Sequence, residues 1–445
     1  MSAVKSPKFN IVGAGLGGAL MATYLGKAGY DVELYEQRPD QRKIGAFGGK
    51  SINLAVSARG IHALDEIGIA EKVLESAIPM RGRVIHSPSG GLSFQPYDKD
   101  PARCINSISR AGLNMALLDA AEQAGVRVHF DAKCVEADIN APAVTIQNGE
   151  AGETTTATSG ILIGADGAFS AVRRSMQRLD RFDYRQDYLA HGYKELVIPS
   201  GPNGAFQLEK NALHIWPRQS FMMIALPNAD ATFTCTLFWP FEGPLSFDAL
   251  ETPDDIRRFF EREFPDAFPL MPTLVEDYQN NPVGSLVTVR CGPWHYRDKA
   301  VLLGDAAHAI VPFYGQGMNA SFEDCSALNA CIAQHAPDWE RAFAAYFAMR
   351  KENSDTIADL AIANFIEMRD HAASPGFRMK KRIERILHSF VPGYVPLYTL
   401  VSFTRMPYAE AVRQAKRQTR NLTIVATILA ALIVLLIAGV IARIT

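Results

Sequence analysis

Glycines at fixed spacing behind an apolar run are the first residues of this 445-residue chain that could do chemistry. Gly13-Ala14-Gly15-Leu16-Gly17-Gly18 follows Phe9-Asn10-Ile11-Val12, and the run Asp31-Val32-Glu33-Leu34-Tyr35 ends at Glu36, 18 residues beyond Gly18. In a G-x-G-x-x-G pattern the first glycine makes a tight turn, the second lets the backbone approach a pyrophosphate, and the third lets helix and strand pack closely. The start of the following helix offers free N–H groups and a partial positive charge to phosphate. Glu36 is placed to accept from a ribose hydroxyl, which favours the unphosphorylated ribose of FAD or NAD over NADPH. The glycines alone are a weak signal. Their order of strand, turn, helix, strand and acid makes a dinucleotide site.

The elements that must position this site follow from pattern. Phe9–Val12 reads as a buried strand, Ala19–Ala28 as a helix and Asp31–Tyr35 as the second strand. Gly160-Ile161-Leu162-Ile163-Gly164-Ala165-Asp166-Gly167 reads as a strand ending in Asp-Gly, before a helix with Arg173 and Arg174. Ala300-Val301-Leu302-Leu303-Gly304-Asp305 is another, followed by Pro312-Phe313-Tyr314-Gly315-Gln316-Gly317-Met318-Asn319 and a helix from near Ala320. Gly315-x-Gly317-x-x-Ala320 resembles the first fingerprint but lacks the acid-terminated strand. Arg110 precedes a helix over Leu113–Ala124. Between 182 and 290 the pattern alternates, so Leu213–Trp216, Phe221–Leu226 and Phe233–Trp239 read as antiparallel strands with one buried face, with Pro217, Pro227 and Pro240 in the turns. His214 and His308 lack metal-ligand spacing, and no metal is expected. The six cysteines show no C-x-x-C and read as reduced core thiols.

The chain holds 45 Lys+Arg and 47 Asp+Glu, which excludes the strongly basic character of a nucleic-acid binder. That balance hides a split. From Ser374 onward there are 11 basic and 2 acidic residues, so the first 373 hold 34 and 45. Residues 422–442 contain no charge, Pro, Asn or Gln, and as a helix they would span roughly 31 Å, the thickness of a bilayer's hydrocarbon. Arg413, Lys416, Arg417 and Arg420 precede the span and Arg443 follows, so the body is expected on the cytoplasmic side. No signal-peptide stretch precedes the first strand. Arg378, Lys380, Lys381, Arg382 and Arg385 read equally as a solvated helix face or as a contact for anionic head groups.

The fingerprint, the Asp-Gly strand end and the Gly-Asp strand end, in this order, resemble the group A flavoprotein monooxygenases built on the p-hydroxybenzoate hydroxylase fold. The resemblance implies that Asp166 lies near FAD and the nicotinamide donor, that Asp305 binds the ribityl chain, that Arg110 contacts FAD, and that the Met318 and Asn319 backbone faces the flavin pyrimidine. A helix N-terminus there would stabilise the anion of reduced flavin. Further runs are similar to the kynurenine 3-monooxygenase family: Gly49–Ser57, Arg81–His86, His191–Leu196, Asn364–Arg369 and Pro396–Thr399. That family's substrate contacts map onto Arg83, Tyr97, Asn364 and Tyr398. An arginine can clamp a carboxylate bidentately, and tyrosines with an asparagine supply oriented donors beside apolar surface.

The expected architecture is α/β: a Rossmann-type FAD-binding domain (1–181 and 291–345) interleaved with an antiparallel-sheet substrate domain (182–290, with contributions from 80–105). A basic helical region (346–421) and a transmembrane anchor (422–442) follow. The expected FAD set is Gly13, Gly15, Leu16, Gly18, Glu36, Gln37, Arg38, Ala55, Arg110, Asp166, Asp305, Met318 and Asn319. The resemblance implies hydroxylation of L-kynurenine to 3-hydroxykynurenine with FAD bound, NADPH as transient donor and O2 activated as a C4a-hydroperoxyflavin. No protein nucleophile is required. It also implies a mitochondrial outer membrane in a eukaryote or an inner membrane in a bacterium. Competing readings are a membrane-bound flavin hydroxylase of another aromatic, a quinone or a sterol, and a flavin-binding membrane protein without turnover.

Overall fold

The computed structural model describes residues 6–44, 53–149, 152–368 and 375–444. Gly49 to Ile52 and Arg369, which belong to two of the runs above, lie outside the described residues, as do the side chains of Arg378, Lys380, Lys381 and Arg385.

A continuous apolar run buried on both faces is what a parallel sheet needs at its centre. Phe9–Val12 is buried at every position and pairs in parallel with Val32–Tyr35 on one side and Ile161–Gly164 on the other. Ala300–Leu302 and His295–Tyr296 extend the sheet beyond Ile161–Gly164, and Arg127–His129 closes the opposite edge. The helices Leu16–Lys27, Arg110–Gln123 and Gly317–His335 all begin about one turn earlier than the sequence pattern suggests. In the first of them the cause is glycine. Gly17 and Gly18 are poor helix formers, but a Cβ on either would overlap Ser321 or Gly13, so glycine is needed in this first turn and is helical here.

The second sheet has seven strands in the order Gly284–Gly292, Asp183–Ile198, Phe233–Pro240, Phe221–Pro227, Ala212–Arg218, Gly82–His86 and Leu92–Pro96. One pair, Ala212–Ile215 with Gly82–Ile85, is parallel. Two expectations are corrected here. The central strands are buried on both faces, because the helices Pro253–Glu263 and Leu274–Asn280 cover the outer one: Trp216, Met223, Leu237 and Trp239 cluster with Ile256, Phe259, Phe260 and Leu274. The three prolines sit in strands and not in turns. Pro217 pairs with Met222, beyond the point where its strand's other neighbour ends at Ile215, so its missing N–H leaves no partner wanting. Pro227 and Pro240 are strand-terminal and pair with Phe233 and His191.

The C-terminal part contains the helices Trp339–Ile366, Pro375–Phe390, Leu397–Phe403 and Tyr408–Ile444. The last is rooted in the protein: Tyr408 and Ala411 are fully buried, and the Ala409 N–H donates to Asn353 Oδ1 at 3.1 Å. Gln418 accepts from the Val395 N–H at 2.7 Å and donates to its carbonyl at 3.2 Å. Further along, Ile424, Val425, Ile428, Leu429, Leu432, Ile433, Val434 and Leu435 are each more than half exposed. A buried core helix is thereby excluded, since leaving such side chains in water forgoes about 1.5–3 kcal/mol each. Among the described residues this is the one helix long and apolar enough to cross a membrane.

Candidate active site

A cavity of about 890 Å³ runs between the two sheets. Its nucleotide end is built by the glycine loop. Gly13 has φ +96°, and a Cβ there would lie 2.5 Å from the Ala165 carbonyl oxygen. A Cβ on Gly18 would overlap the Gly13 carbonyl oxygen, whereas one on Gly15 would meet no atom within 4 Å and would project into the cavity. Glu36 accepts from the Ala14 and Arg38 N–H groups, each at 3.0 Å, so its carboxylate is fixed at the strand end with acceptor capacity left over. Leu16, Gln37, Arg38 and Ala55 also line the cavity. Asn114, which the sequence pattern does not single out, donates to the Ala14 carbonyl at 2.9 Å and fastens the loop to the helix Arg110–Gln123.

Further in, Gly304 (φ +57°) turns the chain so that the Asp305 side chain is exposed to the cavity. The protein atoms around this part of the cavity raise its carboxyl pKa by desolvation, and His308 and Arg110 oppose the rise. Arg110 and Met318 line the same space. The helix Gly317–His335 starts there without a side-chain cap, because the Gln316 side chain accepts from the Tyr408 hydroxyl at 3.0 Å instead. Asp166 lines the cavity and anchors the helix Ala171–Met176, accepting from the Ser170 hydroxyl at 2.5 Å and the Ala171 N–H at 2.6 Å. Gly18 and Asn319 do not line the cavity. Gly18 packs against the loop, and Asn319 is buried behind it, accepting from the Ser57 N–H and donating to the Ala55 and Gly315 carbonyls at 2.8 and 2.9 Å. A loop that leaves room at Gly15, an acid at the end of the second strand, a carboxylate exposed to the cavity and an uncapped helix start together fit a flavin dinucleotide.

At the far end Arg83, from the strand Gly82–His86, packs against both Tyr97 and Tyr398. Its guanidinium carbon is 5.4 and 4.7 Å from their ring centroids, and the two rings stack at 5.4 Å. Tyr314 stacks on Tyr398 at 5.6 Å. Burial alone would weaken the Arg83 charge, but the two phenols raise its pKa overall. Burial pushes the Tyr97 phenol up, so it stays protonated. The site is thus a cation with two phenols facing mostly apolar walls: Met222, Ile224 and Leu226 from one strand, and Phe238 with Thr234 and Thr236 from the next. These wall residues occupy alternate positions, and period-2 pattern was the signal that could have named them. Asn364 does not line the cavity. Its Nδ2 donates to the Phe313 carbonyl at 2.6 Å, holding from behind a ring that does line it.

Two buried polar groups brace these ends. Arg350 donates to Asp324 at 2.7 Å and to Glu323 at 2.6 Å; His308 reaches Asp324 at 2.5 Å, and Arg59 pairs with Glu323 and donates to the Met406 carbonyl. Behind the substrate sheet His86 bridges Asp266 at 2.5 Å and His214 at 2.9 Å, and His214 also bonds the Glu209 carbonyl at 2.9 Å. Burial lowers the His214 pKa from 6.5 to about 4. Between those values the unfolded chain binds the proton and the folded one does not, so stability falls as pH drops through that window, by ~3 kcal/mol at most. Denaturant titrations from pH 7 to 4 are expected to show this slope, and His214→Gln is expected to flatten it.

A family model described as an FAD binding domain matches residues 8–352. The kynurenine 3-monooxygenase of Myxococcus xanthus is 48% identical over 410 residues, covering 92% of this chain and 88% of its own. That of Salinispora tropica is 47% identical over 409 residues (91% and 90%), and that of Dictyostelium discoideum 47% over 425 (92% and 91%). Among solved structures, 2-methyl-3-hydroxypyridine-5-carboxylic acid oxygenase superposes with a TM-score of 0.68 at 21% identity, over 85% of this chain and 96% of that one. Pseudomonas aeruginosa PqsL, in complex with 2-aminobenzoylacetate, gives 0.65 at 20%, over 84% and 100%. At these identities the superpositions speak for the fold.

Proposed function

Since the chain belongs to the kynurenine 3-monooxygenases, FAD-dependent aromatic hydroxylases, we propose that it hydroxylates L-kynurenine to 3-hydroxykynurenine at the expense of NADPH and O2. The observation that carries the substrate reading is Arg83. It is a cation flanked by two phenols inside an apolar chamber, continuous with a dinucleotide-shaped cleft, and the groups acting on its charge are those phenols.

FAD, when bound, would supply the redox chemistry that couples NADPH oxidation to oxygen transfer onto the electron-rich ring carbon ortho to the aniline nitrogen. The chain's own residues do the rest. Arg83 clamps the amino-acid carboxylate, and Tyr97 and Tyr398 donate hydrogen bonds that fix the approach. Met222, Ile224, Leu226 and Phe238 keep water from the reacting ring. Glu36 holds the adenosine ribose, Gly13 and Gly15 admit the pyrophosphate, and Arg38 and Arg110 offset its charge. Asp305 would accept from the ribityl hydroxyls, and the backbone at Met318 and Asn319, at the uncapped helix start, would face the pyrimidine. Asn319 also fixes Ala55, and Asn364 acts from behind Phe313 as a positioning residue. The helix Tyr408–Ile444 tethers this body to a membrane, with Arg413, Lys416, Arg417 and Arg420 on the cytoplasmic side.

The membrane-bound protein is expected to oxidise NADPH faster when kynurenine is added and to form 3-hydroxykynurenine in step with kynurenine-dependent oxygen uptake. No stimulation and no product would sink the proposal. Stimulation by a quinone or sterol instead would point to a different hydroxylase.

A further inference from the structure

The helix Pro375–Phe390 is amphipathic the wrong way round for a protein in water. Met379, Ile383, Ile386 and Phe390 are spaced by four, three and four residues, which places them on one helical face, and they are 56, 48, 50 and 80% exposed. The opposite face meets the body through a buried histidine. The His388 carbonyl accepts from Lys99 Nζ at 3.1 Å, its Nδ1 bonds the Tyr394 carbonyl at 2.9 Å, and its Nε2 lies 3.5 Å from Asp98. An interior-seeking stripe therefore points outward while polar groups hold the inner side.

We propose that this helix lies in the plane of a bilayer surface, its apolar stripe among the acyl chains and its basic flanks against anionic head groups. Two observations choose lipid over a second copy of the chain. In sequence this helix carries Arg378, Lys380, Lys381, Arg382 and Arg385 with one acid, Glu384, so two copies of it would repel while an anionic surface attracts. The helix also lies close in sequence to the exposed apolar stretch of Tyr408–Ile444. The inference rests on the reading that this stretch crosses the same bilayer. A basic amphipathic helix with aliphatic and aromatic residues on its other face is the kind that settles at such an interface.

The attachment touches the substrate end. Asp98, beside His388, follows Tyr97 and accepts from the Thr399 hydroxyl at 3.1 Å, and Thr399 follows Tyr398. Lipid contact on one side of the helix is thus linked to Tyr97 through His388 and Asp98, and to Tyr398 through Thr399 as well.

The test is full-length Phe390→Trp in vesicles of phosphatidylcholine and phosphatidylglycerol, with and without brominated phosphatidylcholine. The parent, with its native tryptophans, is the reference. Carbonate washing reports independently on the span. The fluorescence added by the new indole is expected to fall by about half in brominated vesicles, because an in-plane helix buries its apolar face ~5–10 Å into the interface. Protein retained after carbonate, with the indole quenched by aqueous iodide and not by bromine, would overturn the inference and leave the span standing. Protection from both quenchers with cross-linked dimers would overturn it in favour of a second copy. Loss on carbonate washing with bromine quenching intact would remove the span and keep the lipid-facing stripe. Loss of both would sink both.

Discussion

Arg83→Ala is expected to lower kcat/KM for kynurenine by roughly 30- to 1000-fold, the equivalent of about 2–4 kcal/mol for removing one partner of an enclosed charge-assisted pair. Most of the loss should fall on KM, because the carboxylate is bound alike in ground and transition states and lies away from the reacting ring. Flavin content should not change, since Arg83 sits at the end of the cavity remote from the glycine loop. Lysine should rescue only in part, having a point charge in place of the bidentate fork. Steady-state kinetics with flavin quantified in each preparation decide it. Loss of flavin with the arginine, or an unchanged KM, would show that Arg83 does not hold the substrate.

Gly18→Ala is expected to abolish stable flavin binding. The added Cβ falls on the carbonyl oxygen of Gly13, a backbone atom that cannot swing away, and relieving the overlap means pushing the helix Leu16–Lys27 off the strand that carries the loop. Overpacking of this kind costs about 1–3 kcal/mol or more, and it displaces the backbone that must approach a pyrophosphate. Flavin absorbance should fail to co-elute with the variant. Gly112→Ala is the matched control: its Cβ would find ordinary contacts with Ser109 at 3.6 Å and should leave flavin bound. If Gly18→Ala retained flavin at parental occupancy, the close-packing role of that glycine would be wrong.

Much of the nucleotide end could be read locally, because its parts are adjacent in sequence and each glycine has a steric reason. Glu36 was legible for the same cause, since it follows a strand that periodicity identifies, whereas the role of Asp305 came from the family resemblance and its place at the start of the helix Asp305–His308 from the structure. What could not be read is tertiary. The Asn319 backbone reads as part of a helix start facing a flavin, but nothing in the sequence says that its side chain is spent on the carbonyls of Ala55 and Gly315. Asn364 matches a family position but points at the Phe313 carbonyl. The charges of Arg59, Glu323, Asp324 and Arg350 look in sequence like ordinary solvated helix faces. Only the packing of helices separated by up to hundreds of residues makes them one buried network. The two-faced burial of the substrate sheet was hidden because alternation says which residues share a side and not how many sides are covered.

The rooting of the last helix has a mechanical consequence. From Tyr408, locked beneath Arg59 at 3.9 Å and bonded to Gln316, the helix continues without a break to Ile444. At 1.5 Å per residue that is a rod of roughly 55 Å, with no proline to kink it. With its apolar half in a bilayer, such a rod is an axle and not a leash. The body can spin about the membrane normal but cannot tumble, so the cavity keeps one height and one attitude above the lipid surface.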